Sequence, residues 1–193
     1  MSKPATAISI LLAVACCACG SNGGTVREVL DPVTAVTVTR SSEPVLFYQD
    51  HSSRAAYARD YVNLGPLQVN RMGHYRYYLW LGIWTTLPSD FIGDQRDGFE
   101  AVTLFADGEP LMLHLAGWTP DAFGGSEDIY VKPVASAADA YYEVTFDQIR
   151  MIAASTELRL LTAGPYQHSY ELWDSQRSAM DAFRQFVDHD IGY

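Results

Sequence analysis

Residues 74–87 form a stretch that is apolar on both faces of an extended strand. Alternate positions carry Tyr75, Tyr77, Leu79, Leu81 and Ile83 on one face, and Tyr78, Trp80 and Trp84 on the other. A strand of this kind is buried on both sides, because neither face can be left in water. The segment therefore predicts a central strand with a further layer packed over each face.

Shorter segments on both sides of this stretch are also typical of β-strands, because they alternate apolar with polar residues or are rich in β-branched and aromatic residues. With 74–87, the predicted strands are 34–39, 45–48, 61–69, 102–105, 111–115, 129–131, 140–144, 157–162 and 169–173. Asp107-Gly108, between two of them, indicates a hairpin. Thr145 and Gln148 match a capping box before a helix over 146–155, and a last helix follows residue 175.

These elements predict a mainly β fold. We expect an antiparallel β-sandwich of about ten strands, with two short helices in the C-terminal third. The apolar faces of the helices, which include Phe183 and Phe186, are expected to cover a sheet.

The N-terminus has a different character. Residues 7–15 are apolar except for Ser9, and this run is too short to cross a bilayer as a helix. It fits the apolar region of an export signal. The run ends in Ala13-Val14-Ala15-Cys16, and Ala18-Cys19-Gly20 follows closely.

This arrangement resembles the lipobox of a bacterial lipoprotein. The resemblance implies a signal peptide at 1–15 and a lipidated flexible tether at 16–25. The length and the strand patterns of the rest predict a single β-rich globular domain at 26–193. The resemblance also implies lipid attachment at Cys16, or alternatively at Cys19. No Asp follows either cysteine, which in such proteins implies the outer membrane, here facing the periplasm. A plain secretory signal is the alternative.

Composition limits the partners of the exported chain. Loss of Lys3 leaves 12 basic residues against 23 acidic ones, which argues against binding to nucleic acid. No cysteine follows residue 19, so the body must be held by packing rather than by disulfides. We expect membrane contact through the covalent lipid, no transmembrane helix in the mature protein, and an envelope protein or glycan as partner.

The titratable residues do not form a recognisable catalytic or metal-binding pattern. The five histidines are scattered and lack the spacing of metal ligands. The acidic loop with Asp90, Asp94, Asp97 and Glu100 lacks the alternating oxygen ligands of an EF-hand. We therefore predict no catalytic residue, no metal site and no cofactor. A hydrolase whose site is assembled only in space is kept as an alternative.

Aromatic residues, at 12% of the chain, supply the candidate ligand contacts. Trp118 and Phe123 lie in a glycine-rich loop and are expected to be exposed, as interface aromatics are. Trp80 and Trp84 could form a flat platform for sugar rings, although core packing is the favoured interpretation of both. The sequence thus predicts a non-catalytic binding or structural module of the cell envelope, alternatively one that binds peptidoglycan or another polysaccharide.

Overall fold

The computed structural model describes residues 24–50, 58–87, 94–164, 167–173 and 177–190. The signal-peptide segment, the three cysteines and Asp90 lie outside these ranges. The strands are β1 (Val26–Leu30), β2 (Thr37–Ser41), β3 (Val45–Asp50), β4 (Arg59–Arg71), β5 (His74–Thr85), β6 (Ala101–Ala106), β7 (Glu109–Gly117), β8 (Ala138–Val144), β9 (Leu158–Thr162) and β10 (Ser169–Leu172). The helices are α1 (Phe146–Ala154) and α2 (Arg177–Asp190).

Eight of the strands close into an antiparallel β-barrel. The order around the barrel is β4-β3-β10-β9-β6-β7-β8-β5, and β5 returns to β4 through twelve residue pairs from Asp60↔Thr85 to Arg71↔His74. Strand β4 is thirteen residues long, so its other edge pairs with β3 in its first half and with β2 in its second half. Strands β1 and β2 therefore extend the sheet beyond the closed ring.

The mainly β class and the ten strands are confirmed, but the predicted sandwich is wrong. Closure comes from pairings between strands that are far apart in the chain, such as β3 with β10 and β5 with β8. A strand that is apolar on both faces is compatible with a sandwich that has outer layers. It is equally compatible with a barrel whose wall is covered on the outside. The sequence pattern does not distinguish the two, because it carries no information on which distant strands pair.

The barrel interior is filled by apolar side chains. Residues that point inward from β3, β4, β5 and β8 are essentially inaccessible to solvent, and they pack with buried residues of α1 and α2. This inner core includes Phe47, Leu64, Leu81, Tyr142, Ile149, Ile152, Phe183 and Phe186. An eight-stranded barrel is narrow enough for its own side chains to fill it.

A second apolar cluster lies on the outside of the barrel wall. We call it the outer core, and it consists of Val36, Val38, Leu67, Val69, Tyr78, Trp80, Phe123, Tyr130 and Tyr141. Phe123 and Tyr130 come from the connection between β7 and β8, which covers the wall. The strand predicted at 129–131 is wrong, because Tyr130 inserts its side chain into this cluster and no strand is formed there.

Both helices agree with the sequence pattern. Thr145 and Gln148 form the predicted capping box: the Gln148 amide N–H donates to Thr145 Oγ1 at 3.3 Å, and the Thr145 amide N–H donates to Gln148 Oε1 at 2.8 Å. The apolar face of α2, with Phe183 and Phe186, is buried.

Strand β1 was not predicted, because four of its five residues are exposed and its sequence lacks a clear alternation.

Asp31 joins the turn after β1 to the connection that covers the wall. Its carboxylate accepts hydrogen bonds from the Val33 amide at 2.9 Å, the Thr34 amide at 3.1 Å and the Ser126 hydroxyl at 2.8 Å. Burial alone raises the pKa of Asp31, but the hydrogen bonds from Ser126, Thr34 and Val33 outweigh it and hold the pKa well below its usual range.

This low pKa predicts a stability contribution that depends on pH. A carboxyl whose pKa is depressed by folding stabilises the native state above its unfolded pKa of about 3.9, and the contribution is lost as the pH falls toward the folded value. We expect Asp31→Asn to be less stable than the unsubstituted protein at pH 7, and the difference to shrink below about pH 4. Urea unfolding at pH 7, 4 and 2.5 measures this; a constant difference would contradict it.

Candidate functional site

Trp80 lies in the outer core and is 1% exposed. Its ring stacks on that of Tyr130, with centroids 4.5 Å apart and planes 23° from parallel. Its indole N–H donates to Asp139 Oδ1 at 3.0 Å. These contacts place Trp80 in a structural position, in line with the favoured core interpretation of this residue.

The polar groups around Trp80 form a small network under the covering connection. Asp139 is nearly inaccessible, and its Oδ2 lies 2.8 Å from Lys132 Nζ, which also lies 3.3 Å from Asp128 Oδ2. The hydrogen bond that Lys132 donates to Asp139 is the main reason that the pKa of Lys132 is raised. The network joins the connection that carries Lys132 to β8, which carries Asp139.

Tyr130 is held from two further sides. Its hydroxyl lies 3.0 Å from Ser41 Oγ, and the guanidinium of Arg40 lies 4.6 Å from the centre of its ring. Burial raises the pKa of Tyr130 to about 12, so the phenol stays neutral over the physiological range. Together with Trp80 it fastens the covering connection to the wall.

The two loop aromatics differ in exposure. Phe123 is only 6% exposed and packs near Tyr141, with ring centroids 5.1 Å apart. The predicted exposure of Phe123 is therefore wrong, because the glycines next to it let the loop fold back onto the wall. Trp118 is half-buried, and the guanidinium of Arg96 lies 5.4 Å from its ring centre. Its role as a ligand contact stays a prediction.

Trp84 belongs to a different group from Trp80, although both point outward from β5. Tyr48, Tyr61 and Trp84 lie directly opposite one another on β3, β4 and β5, because the register pairs Tyr48 with Tyr61 and Tyr61 with Trp84. Trp173, just after β10, lies beside them. We call Tyr48, Tyr61, Trp84 and Trp173 the aromatic surface. All four side chains are partly exposed.

The rings of the aromatic surface contact one another. Tyr61 and Trp84 stack with centroids 4.2 Å apart and planes 15° from parallel, and Tyr48 meets Trp173 edge to face at 5.1 Å. The faces that Tyr61 and Trp84 turn toward each other are closed to a ligand. A ligand can therefore contact only the ring edges and the outer faces. Trp80 and Trp84 do not form a flat platform.

Arg59 and Asp50 supply polar groups at the aromatic surface. The guanidinium carbon of Arg59 lies 5.4 Å from the ring centre of Tyr48 and 5.2 Å from that of Trp173. Its Nε donates to Asp50 Oδ1 at 2.6 Å, and this hydrogen bond is the main cause of the raised pKa of Arg59. Both side chains reach solvent, at 33% and 56% exposure.

A groove of about 420 Å³ adjoins the aromatic surface at Trp173. It runs toward α2 and is lined by Thr156, Leu172, Trp173, Arg177, Met180, Asp181 and Arg184. The groove adds charged side chains of both signs to the aromatic surface. Rings, guanidinium groups and carboxylates in this arrangement offer contact area and directional hydrogen bonds.

Sequence reasoning placed Trp84 on a strand but missed the other three members of the aromatic surface. Tyr48, Tyr61 and Trp173 were all assigned to strands, yet nothing in their spacing along the chain shows that they are neighbours. The missing information is the register between β3, β4 and β10, which only the closed barrel provides.

In the part of the acidic loop that the structure describes, acidic side chains accept hydrogen bonds from nearby backbone amides. Asp94 Oδ1 accepts the Arg96 amide N–H at 3.0 Å, and Glu100 Oε2 accepts the Gly98 amide N–H at 3.1 Å. In the described ranges, no group of three or more His, Cys, Asp or Glu residues is arranged to hold a metal ion. Among the same residues, no helix is long and apolar enough to cross a membrane.

Comparison with known proteins finds no relative: no protein-family model matches the chain, and no curated protein or solved structure is significantly similar to it.

Proposed function

We propose that this chain is a lipid-anchored lipoprotein of the bacterial cell envelope, held at the outer membrane and facing the periplasm. The support is the lipobox-like sequence that ends at Cys16 or Cys19, followed by a short tether rich in glycine. Several acyl chains on one cysteine, at about 0.8 kcal/mol per buried methylene, make such attachment effectively permanent.

We further propose that the barrel is a non-catalytic binding module and that the aromatic surface is its binding face. The observation that carries this proposal is the grouping of four large, partly exposed rings, three aligned across β3, β4 and β5 and the fourth just after β10. The inner core is filled without them, so the fold does not need them for its interior. Clustered surface aromatics are enriched where proteins contact partners.

A carbohydrate is the ligand class that this surface favours, and an envelope protein is the second candidate. Sugar rings offer C–H groups to aromatic rings and hydroxyl groups to polar side chains. Arg59 lies against Tyr48 and Trp173 and is paired with Asp50, so both kinds of contact are available within one surface. Peptidoglycan and exported polysaccharide are the envelope glycans to test.

Membrane fractionation tests the anchor. The full-length chain is expressed with Cys16→Ser, with Cys19→Ser and with all three cysteines replaced, and each form is followed between membrane and soluble fractions. We expect the triple variant to leave the membrane fraction, because its thiols can no longer carry lipid. Membrane retention of the triple variant would overturn the lipoprotein proposal.

Tryptophan fluorescence tests the binding face. Titration with peptidoglycan fragments or polysaccharide is expected to change the emission of Trp84 and Trp173, whereas buried Trp80 serves as an internal reference. Tyr48→Ala and Trp173→Phe are expected to weaken the response at least about tenfold, as loss of a central contact does. Tyr75→Ala, at an exposed tyrosine far from this surface, is the matched control. No spectral change with any envelope glycan would contradict the carbohydrate proposal.

A further inference from the structure

Exposed apolar side chains gather at one end of the extended sheet. Leu30 is 62% exposed, Val33 77%, Met72 94% and Tyr75 52%. We call these four residues the apolar rim. Leu30 pairs with Thr37, Thr37 with Asn70, and Asn70 with Tyr75, so one row across four strands joins Leu30 to Tyr75.

The turns at the ends of these strands carry the other two members of the rim. Val33 lies in the turn between β1 and β2, and Met72 lies in the turn between β4 and β5. Neighbouring strands are about 4.8 Å apart, so the row from Leu30 to Tyr75 spans about 14 Å. The rim is thus a compact apolar surface at the tips of two hairpins.

The hairpin that carries Met72 and Tyr75 is basic within an acidic chain. Arg71, His74 and Arg76 are all exposed there, and residues 61–89 contain no Asp or Glu. Arg71 donates to the Gly124 carbonyl at 3.1 Å, and Glu143 on β8 interacts electrostatically with Arg76. The combination of apolar side chains, a tyrosine and flanking arginines is typical of proteins at the surface of an anionic bilayer.

The length of the N-terminal tether is compatible with bilayer contact at this end. Cys19 and Cys16 precede Gly24 by five and eight residues, which reach about 17 Å and about 28 Å when extended. Leu30 lies six residues beyond Gly24, a distance of about 20 Å when extended. The reach from Cys16 exceeds this distance, so a chain anchored at Cys16 can place the level of Leu30 at the membrane.

We infer that the apolar rim rests on an anionic lipid bilayer. Leu30, Val33, Met72 and Tyr75 enter the interfacial region, and the arginines of the β4–β5 hairpin face the lipid phosphates. This inference rests on the proposed lipid anchor and goes beyond it, because it fixes how the barrel is oriented. The aromatic surface then faces away from the bilayer, since Tyr61 lies nine residues from Asn70 on β4, about 30 Å along the strand.

Site-specific fluorescence on the full-length, lipidated protein tests the orientation. Met72→Cys carries an environment-sensitive fluorophore, and the cysteines not used for anchoring are replaced by serine. Thr86→Cys is the matched control, because Thr86 is also exposed but follows the opposite end of β5, eleven residues from Tyr75 and about 36 Å along the strand. The protein is reconstituted into vesicles of phosphatidylethanolamine and phosphatidylglycerol, with and without brominated acyl chains.

We expect the protein to float with the vesicles, the probe at position 72 to lose most of its emission to the brominated lipid, and the probe at position 86 to keep its emission. Flotation with equal emission loss at both positions would overturn the rim inference and leave the anchor intact. A protein that does not float would overturn the anchor, and the rim inference with it. A shift in the emission of the probe at position 72 that appears without vesicles and grows with protein concentration would assign the rim to a second copy of the chain.

Discussion

Replacing Leu81 with alanine is expected to lower the free energy of unfolding by about 2–5 kcal/mol. Leu81 is fully buried at the middle of β5, where it is paired with Leu64 on one side and Ala140 on the other. Its side chain points into the closed barrel. The strands around it cannot move closer to one another, so they cannot fill the space that the substitution leaves. The cost therefore includes the lost burial and most of the cavity left behind.

Equilibrium unfolding in urea measures this loss as a lower transition midpoint with an unchanged slope. Met112→Ala is the control, because the side chain of Met112 is 67% exposed and its removal is expected to change the free energy of unfolding by no more than about 0.5 kcal/mol. Equal effects of the two substitutions would contradict the position of Leu81 in the inner core.

Replacing Asp139 with alanine is expected to lower the free energy of unfolding by about 2–4 kcal/mol. The substitution leaves the indole N–H of buried Trp80 without its acceptor and removes the closer of the two carboxylates at Lys132. Because both contacts lie under the covering connection, we expect that connection to loosen and the emission of Trp80 to shift to longer wavelength.

Asp128→Ala is the matched control for Asp139→Ala. Asp128 contacts the same lysine at 3.3 Å, but its side chain is 50% exposed, and exposed ion pairs contribute no more than about 1 kcal/mol. Thermal unfolding and tryptophan emission of the two variants separate the roles of the carboxylates. If Asp139→Ala behaves like Asp128→Ala, the network does not hold the connection to the wall.

The elements that could be predicted from sequence are those that depend on neighbouring residues. The hairpin at Asp107-Gly108 is formed, with positive φ angles of 48° and 88°, because only a few residue types adopt that backbone conformation. The capping box at Thr145 is formed because its partners are three residues apart. Strand β5 was placed correctly because its apolar pattern is long.

The predictions that were wrong depend on contacts between residues that are distant in the chain. The closure of the barrel needs β3 beside β10, and the burial of Phe123 needs the wall of β5 and β8 to be in place. Tyr130 was assigned to a strand from its apolar neighbours, yet its side chain is buried in the outer core as part of an irregular connection. Strand β1 is exposed and depends on β2 for its pairing, so its own residues gave no signal.

The same limit applies to the candidate site. Trp84 was one of four aromatic residues proposed from sequence, but its partners Tyr48 and Tyr61 emerge only from the strand register. Trp80 and Trp84 are four residues apart on one face and still belong to separate clusters, because Tyr130 packs on the first and Tyr61 on the second.

Intact-mass analysis of the mature protein tests the central proposal, the lipid anchor, most directly. The protein is purified from bacterial membranes, and its mass and N-terminal peptide are measured. We expect a chain that begins at Cys16, or alternatively at Cys19, and that carries acyl chains on that cysteine. A mature chain with an unmodified N-terminus would contradict the account.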